Sequence, residues 1–121
     1  MMDKKYNILL VDDEEDNLAL LYRTLRGAYN LEKTTSPLHA LEILKEKHFE
    51  LVISDHKMPE MDGVEFLKHV QVHYPSTMRI LLTAYSDANI LIDAINYAKI
   101  YRYVKKPFNP EELQLIVSSA L

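Results

Sequence analysis

The sequence predicts an α/β fold, a parallel sheet with helices packed on both faces. Three observations carry that expectation. Short apolar runs alternate with longer amphipathic stretches five times along 121 residues, and strand–helix alternation is what right-handed crossovers in a parallel sheet require. The inner runs, Ile8-Leu-Leu-Val11, Leu51-Val-Ile-Ser54 and Ile80-Leu-Leu82, are nearly continuous in apolar residues rather than alternating, as strands covered on both faces are. The stretches between the runs carry apolar residues at helical spacing and are punctuated by capping residues and prolines.

Each element follows in order. Asn7 to Val11 is the first strand, ending in acids. Glu15 to Ala28 has Leu18, Leu21, Tyr22 and Leu25 at helical spacing, with Gly27 near its C-terminal cap. Asn30 to Thr34 is a short second strand. Ser36 and Pro37 read as an N-cap and first helical position, and Leu38, Leu41, Ile43 and Leu44 continue that helix. Leu51 to Ser54 is the third strand, closing at Asp55. A loop over 56–62 leads to a helix marked by Val64, Phe66, Leu67, Val70 and Tyr74 and stopped by Pro75. Met78 to Leu82 is the fourth strand, ending at Thr83. Asp87 to Ala98 is the fourth helix, Tyr101 to Val104 the fifth strand, and Pro110 opens a last helix reaching Leu121. No repeat or linker interrupts the pattern. The chain therefore reads as one domain, 1–121, of the kind that stands at the N-terminus of a longer protein.

Composition excludes several functions. The chain has no cysteine, which removes disulfides and thiolate chemistry and suits the cytoplasm. Fourteen basic against eighteen acidic residues leave a formal charge of −4, so direct nucleic-acid binding is not expected. No apolar run approaches the roughly 18 residues of a membrane span, and the N-terminus is no signal peptide. Only two glycines are present, Gly27 and Gly63, which leaves no material for a glycine-rich phosphate loop.

In open α/β sheets, sites form beyond the carboxyl ends of the strands. Those ends carry Asp12 and Asp13, Asp55, Thr83 and Lys106. Three carboxylates brought close together cannot all stay ionised without a counter-charge. A hard divalent cation such as Mg²⁺, or Mn²⁺ in its place, resolves that conflict through oxygen ligands. Lys106, further along the sheet, suits an anion instead. Mg²⁺, a carboxylate, a hydroxyl and a lysine together point to phosphoryl transfer onto the carboxylate. Glu14, Glu15 and Asp16, which continue the acidic run, read as ordinary acids at a helix N-terminus.

These residues also carry a family likeness. The segments ILLVDDE (8–14), VISDHKMPEMDG (52–63), ILLTAY (80–85) and YVKKPF (103–108) resemble the receiver domain of two-component response regulators over essentially the whole chain. The resemblance implies a flavodoxin-like doubly wound (βα)5 three-layer sandwich with strand order 2-1-3-4-5. It implies Asp55 as phosphoacceptor, and Asp12 and Asp13 as the pair holding Mg²⁺, one of them acting through water. The backbone carbonyl of Lys57 is implied as a further metal ligand. Thr83 would turn to hydrogen-bond the phosphoryl group, Lys106 would contact a phosphate oxygen, and Pro107 would follow a cis peptide. Tyr103 resembles the aromatic switch residue, turning inward as Thr83 moves. The donor implied is a phosphohistidine on a sensor histidine kinase or phosphotransfer protein. The face made by helix 4, strand 5 and helix 5 would then change its binding, whether to a downstream output domain, a separate protein or a second copy of the chain. Tyr101, Arg102 and Lys105 lie near that face. Such a domain is a signalling module, catalysing only its own phosphorylation and slow dephosphorylation.

The chain departs from the family pattern in places. The usual glycine before the fifth strand is missing, the chain reading Tyr97-Ala-Lys-Ile-Tyr101. Arg102 stands where an acid or small residue is frequent. Ala84 leaves phosphate access open, and bulky Tyr85 is placed to shield the phosphoryl group. Other readings fare worse. A phosphatase of the aspartate-nucleophile type needs a second acid two residues past the nucleophile, where Lys57 stands. A flavin module needs hydroxyls and glycines after the first strand, where DDEED would repel phosphate. A structural pseudo-receiver is opposed by the intact Asp55 and Lys106. His69 and His73 sit four apart on a helix, a spacing able to hold a metal, but a solvated helix face explains them better. His39, His48 and His56 read as surface residues, with His56 placed to tune hydrolysis.

Overall fold

The computed structural model describes residues 5–84 and 88–121. Five strands, β1 (Asn7–Val11), β2 (Asn30–Thr34), β3 (Leu51–Asp55), β4 (Met78–Thr83) and β5 (Arg102–Lys105), form one sheet in the order β2-β1-β3-β4-β5, with each neighbouring pair parallel. Between and after them run α1 (Glu15–Leu25), α2 (Pro37–Glu46), α3 (Gly63–His73), α4 (Ala88–Asp93) and α5 (Pro110–Ala120). The doubly wound architecture and strand order are those expected.

The continuous apolar runs explain the three layers. Side chains alternate across a strand, so Ile8 and Leu10 face one side of the sheet while Leu9 and Val11 face the other. The first set joins Ile53, Ile80 and Leu82 under α1 and α5 through Leu18, Leu21, Leu113 and Val117. The second joins Val52 and Leu81 under the remaining helices through Ala40, Leu44, Phe66, Leu67 and Val70. Both faces of β1 and β3 are dry, so neither strand tolerates an alternating polar pattern.

Local chemistry sets the helix starts. The Ser36 hydroxyl accepts the His39 amide (3.1 Å), Asp62 Oδ1 accepts Glu65 (2.9 Å) and Asn109 Oδ1 accepts Glu112 (3.0 Å), each satisfying an otherwise orphaned donor. Pro37 and Pro110 occupy first helical positions. Gly27 follows α1 at φ +93, a conformation that favours glycine.

Some boundaries differ from expectation. α1 ends at Leu25 rather than Ala28, because Arg26 is already extended. β5 begins at Arg102, with Tyr101 outside it. The fourth helix does not stay α-helical: Ala94–Ala98 is π-helical and closes on Lys99, which adopts the left-handed conformation at φ 48. Lys99 thus takes the backbone role that the missing glycine would fill. Asp87, the expected start of that helix, and Tyr85 lie outside the described residues, as does Met1 to Lys4. Among the described residues no helix is long and apolar enough to cross a membrane.

Candidate functional site

Register brings the strand ends level. Val11 pairs with Ser54, so Asp12 emerges beside Asp55. Asp55 pairs with Leu82, which sets Thr83 one residue further on the next strand. Thr83 pairs with Lys105, so Lys106 emerges beside it, and the Lys106 amide donates to the Thr83 carbonyl at 2.8 Å. Residues 43 and 94 positions away from Asp12 thereby meet it at one sheet edge because three parallel ladders, β1 to β3, β3 to β4 and β4 to β5, are in step.

Asp12 is fully buried, Asp55 and Thr83 nearly so, and Asp13 is exposed at the mouth. One carboxylate oxygen from each of Asp12, Asp13 and Asp55 lies within 4.8 Å of the others, the only such group of three metal-ligating side chains among the described residues. A cleft of about 400 Å³ opens over them, lined by Asp13, Asn17, Asp55, Lys57, Ala84 and Lys106 among others. The Lys106 ammonium lies 2.7 Å from Asp55 Oδ1 and 3.2 Å from Asp12 Oδ2. The Asp12 carboxylate also accepts the Glu14 amide at 3.0 Å, which fixes its orientation at the entry to α1.

The electrostatics follow from that crowding. Burial pushes the Asp55 carboxyl above the usual carboxylate range; the hydrogen bond from Lys106 pulls it back, and the charge of Asp12 adds to the rise. Burial works against the Lys106 charge, but its hydrogen bond to Asp55 and the charges of Asp12 and Asp55 outweigh that and hold it above the usual lysine range. One ammonium therefore partly neutralises two buried carboxylates. An all-oxygen set of three, under-compensated by a single lysine, suits a hard divalent cation such as Mg²⁺.

Gly63 closes the site from below. Its amide donates to the His56 carbonyl at 2.6 Å, and a Cβ in its place would overlap the Asp55 carbonyl oxygen and come within 2.9 Å of the Asp55 carbonyl carbon. The loop after β3 is tied outward by Ser36, whose hydroxyl donates to Glu60 at 2.7 Å.

The structure brings together every strand-end residue singled out by sequence. The Lys106–Pro107 peptide is cis, as the family likeness implies. Lys57 stands exposed at the rim of the cleft. Tyr103 lies on β5 with its side chain 44% exposed. His56 is a correction: it is 7% exposed rather than a surface residue, because the chain turns inward past β3 and its amide donates to Leu82 on β4. His39 and His48 are exposed. His69 and His73 stack at 6.3 Å between ring centroids on the outer part of α3. Sequence reasoning missed Asn17, which lines the cleft from the first turn of α1, and Arg79, a buried residue on β4. A charged residue inside the apolar run Met78–Leu82 was the available signal for the second.

Comparison with known proteins agrees with this geometry. The family model described as the response regulator receiver domain matches residues 8–118. The transcriptional regulatory protein ZraR of Klebsiella oxytoca is 37% identical over 122 residues, covering all of this chain and 27% of that protein. The hydrogenase transcriptional regulatory protein HoxA of Cupriavidus necator is 35% identical, covering 93% of this chain and 23% of its own length. The chain thus spans about a quarter of the curated relatives it matches. Among solved structures, the signal receiver domain of an HD domain-containing protein from Pseudomonas fluorescens superposes with TM-score 0.93 at 39% identity, covering 97% and 94% of the two chains. The BeF3-activated receiver domain of DrrB superposes with TM-score 0.89 at 28% identity, covering 97% of each. With this match over nearly its whole length and an acidic pocket at the strand ends, the chain belongs to the response regulator receiver domain family, signalling domains that pair with histidine kinases and output domains.

Proposed function

We propose that this domain accepts a phosphoryl group from a phosphohistidine onto Asp55, in a reaction that depends on Mg²⁺ or Mn²⁺, and answers by reshaping its α4–β5–α5 face. The observation that carries the reading is the Asp55 carboxylate, buried at the end of β3 with Lys106 at 2.7 Å and oxygens of Asp12 and Asp13 within 4.8 Å. Asp12, Asp13, Asp55 and the Lys57 carbonyl are the groups that would hold the metal. When bound, it supplies positive charge for the oxygens of the transferring group.

The chain's own residues do the rest. An Asp55 carboxylate oxygen forms the new bond to phosphorus as the P–N bond of the donor imidazole breaks, and the departing imidazole takes up a proton. Lys106, already beside Asp55, moves from carboxylate to phosphoryl oxygen. Thr83, at the end of β4, donates its hydroxyl to another phosphoryl oxygen. The product carries about −1.5 to −2 charge where a carboxylate stood. Drawing Thr83 inward shifts the start of α4 and lets Tyr103 turn, a population shift between two packings.

The domain works in the cytoplasm, catalyses only its own phosphorylation and slow dephosphorylation, and takes its phosphoryl group from a sensor histidine kinase or phosphotransfer protein. The partner of the reshaped face is an output domain, a separate protein or a second copy of the chain. The curated relatives are transcriptional regulators about four times this length, which supports an output outside these residues; the formal charge of −4 supports the absence of direct nucleic-acid contact by the domain itself. The test is incubation with Mg²⁺ and acetyl phosphate. Asp55 should become labelled and Asp55→Asn should not; label persisting in the variant overturns the assignment.

A further inference from the structure

β5 is the outer strand of the sheet, paired with β4 on one side and with no strand on the other. The Tyr101 amide donates inward to Arg79 on β4 at 2.7 Å. Successive peptide groups of a strand point to opposite sides, so the N–H and C=O groups of Arg102 and Val104 point away from β4. Among the described residues no loop, turn or side-chain group hydrogen-bonds either residue's backbone. An unpaired edge of this kind is a template for a further strand.

The charge of that edge is one-signed. Residues 99–106 read Lys-Ile-Tyr-Arg-Tyr-Val-Lys-Lys, without an acid, in a chain whose formal charge is −4. Lys99, Arg102 and Lys105 are exposed, and none of them is in an ion pair among the described residues. Val104 packs with the α1 and α5 side of the core, so side-chain alternation puts Arg102 on that side. Tyr103 and Lys105 then lie on the side that Ala94 and Ala98 pack against. One cation therefore flanks each side of the strand. Tyr101 and Tyr103 are 41% and 44% exposed beside them. A groove of about 620 Å³ follows the edge, lined by all of 102–109 and by Glu112, Leu113 and Ile116 of α5. Cations along an edge keep off strands of like charge. Towards a strand that carries acids they do the opposite.

We propose that the free edge of β5 takes an acidic, extended segment of a partner protein as a sixth strand. Main-chain bonds to Arg102 and Val104 supply the affinity common to strand addition. Carboxylates facing Arg102 on one side and Lys105 on the other select the partner. The same charges exclude a second copy of the chain through this edge, because two β5 edges would set cations against cations. Each exposed ion pair is weak and screened by salt, which suits a contact that is made and released. That the edge answers phosphorylation rests on the proposed reading of the α4–β5–α5 face, in which Tyr103 turns; that it takes an acidic strand does not.

The probe is the peptide acetyl-Glu-Glu-Val-Glu-Glu-amide, which carries acids on both sides of a strand. It is titrated into the isotope-labelled, Mg²⁺-loaded chain with and without beryllofluoride, a mimic of the acyl phosphate. Amide shift changes should centre on Arg102–Lys105, and exchange at the Arg102 and Val104 amides should slow by about tenfold or more at saturation. The same peptide methylated on its backbone nitrogens, and its all-lysine counterpart, should each bind about tenfold more weakly or worse. Arg102→Glu with Lys105→Glu, a reversal confined to exposed side chains, should lose the acidic peptide and take the lysine one. Equal binding of the methylated peptide overturns strand addition. So do shifts centred away from β5, or no binding in either state. A thymidine decanucleotide that displaces the peptide from the same amides at lower concentration overturns the choice of partner, and a wild-type dimer joined through those amides overturns the exclusion of a second copy. Binding at the edge with equal affinity in the two states supports the acidic-strand edge and overturns the proposed phosphorylation response of the face alone.

Discussion

The Lys106 ammonium stands between Asp55, at 2.7 Å, and Asp12, at 3.2 Å, and so joins the end of β3 to the end of β1 from beyond the end of β5. Among the described residues it is the one cation bonded to both buried acids. Removing it leaves two carboxylates uncompensated. Lys106→Met should therefore destabilise the metal-free protein at neutral pH by about 1–3 kcal/mol, less than a fully buried pair because the lysine is partly exposed. Phosphorylation by a small donor should slow by roughly 10²-fold. Urea unfolding and initial-rate measurements check the two effects; unchanged phosphorylation would remove Lys106 from the mechanism.

The raised Asp55 pKa has a sign that can be measured. A carboxyl that binds its proton more tightly in the folded than in the unfolded state loses stability as pH climbs from about 3.9 through the raised value. Lys106 is also raised, so its stabilisation is in place below about 10.4 and is lost only as pH climbs through its folded value. Of these two groups, only Asp55 therefore changes its contribution across the acid-to-neutral range in metal-free protein. Mg²⁺ needs the ionised carboxylates, so its stabilisation should be slight near pH 4 and full near pH 7, about 2.7 kcal/mol at a free concentration one hundred times Kd. Denaturant unfolding with and without Mg²⁺ across that range checks it. Equal stabilisation at both ends would contradict the cluster as the binding site.

Gly63 is required by space. Any Cβ there overlaps the Asp55 carbonyl oxygen, which belongs to the buried backbone of β3 and cannot yield cheaply. Gly63→Ala should cost about 1–3 kcal/mol or more and displace Asp55, so phosphorylation should fall with stability. Thermal unfolding and phosphorylation yield read both; a variant with wild-type values for each would show that the loop after β3 relaxes freely.

Lys99 offers the opposite case. It holds a left-handed conformation that costs an L-residue roughly 1–2 kcal/mol and glycine almost nothing. Lys99→Gly should stabilise the domain by about 0.5–1 kcal/mol after the added entropy of the unfolded chain is counted. A lower melting temperature would mean that the lysine side chain makes a contribution larger than the backbone strain.

The site was legible because each of its residues terminates an apolar run, and parallel pairing places such ends side by side. Asp12, Asp55, Thr83 and Lys106 needed only the strands and their order. What stayed hidden depends on contacts with no local period. Arg79 sits in a strand run and gives no sign that its guanidinium reaches carbonyls on the next helix. The π-helical turn of Ala94–Ala98 has the same apolar spacing as an α-helix. Lys99 carries no glycine to announce its φ. His56 looks solvated beside a polar loop, and only the closeness of β4 buries it. The bond from Ser36 to Glu60 joins the start of α2 to the loop after β3, and the bond between Thr34 and His39 (2.9 Å) ties the end of β2 to the first turn of α2; neither follows from a local period.

The central claim is that Asp55, and no other carboxylate of the cluster, receives the phosphoryl group. Borohydride reduces an acyl phosphate to the alcohol, converting a phosphorylated aspartate to homoserine, so the acceptor can be read residue by residue. The chain should be incubated with Mg²⁺ and acetyl phosphate, reduced, digested and mapped by mass spectrometry. Homoserine at position 55 alone, absent without Mg²⁺ and absent from Asp55→Asn, is the predicted result. Homoserine at Asp12 or Asp13 in the wild type, or none at any position while phosphate is incorporated, would contradict it.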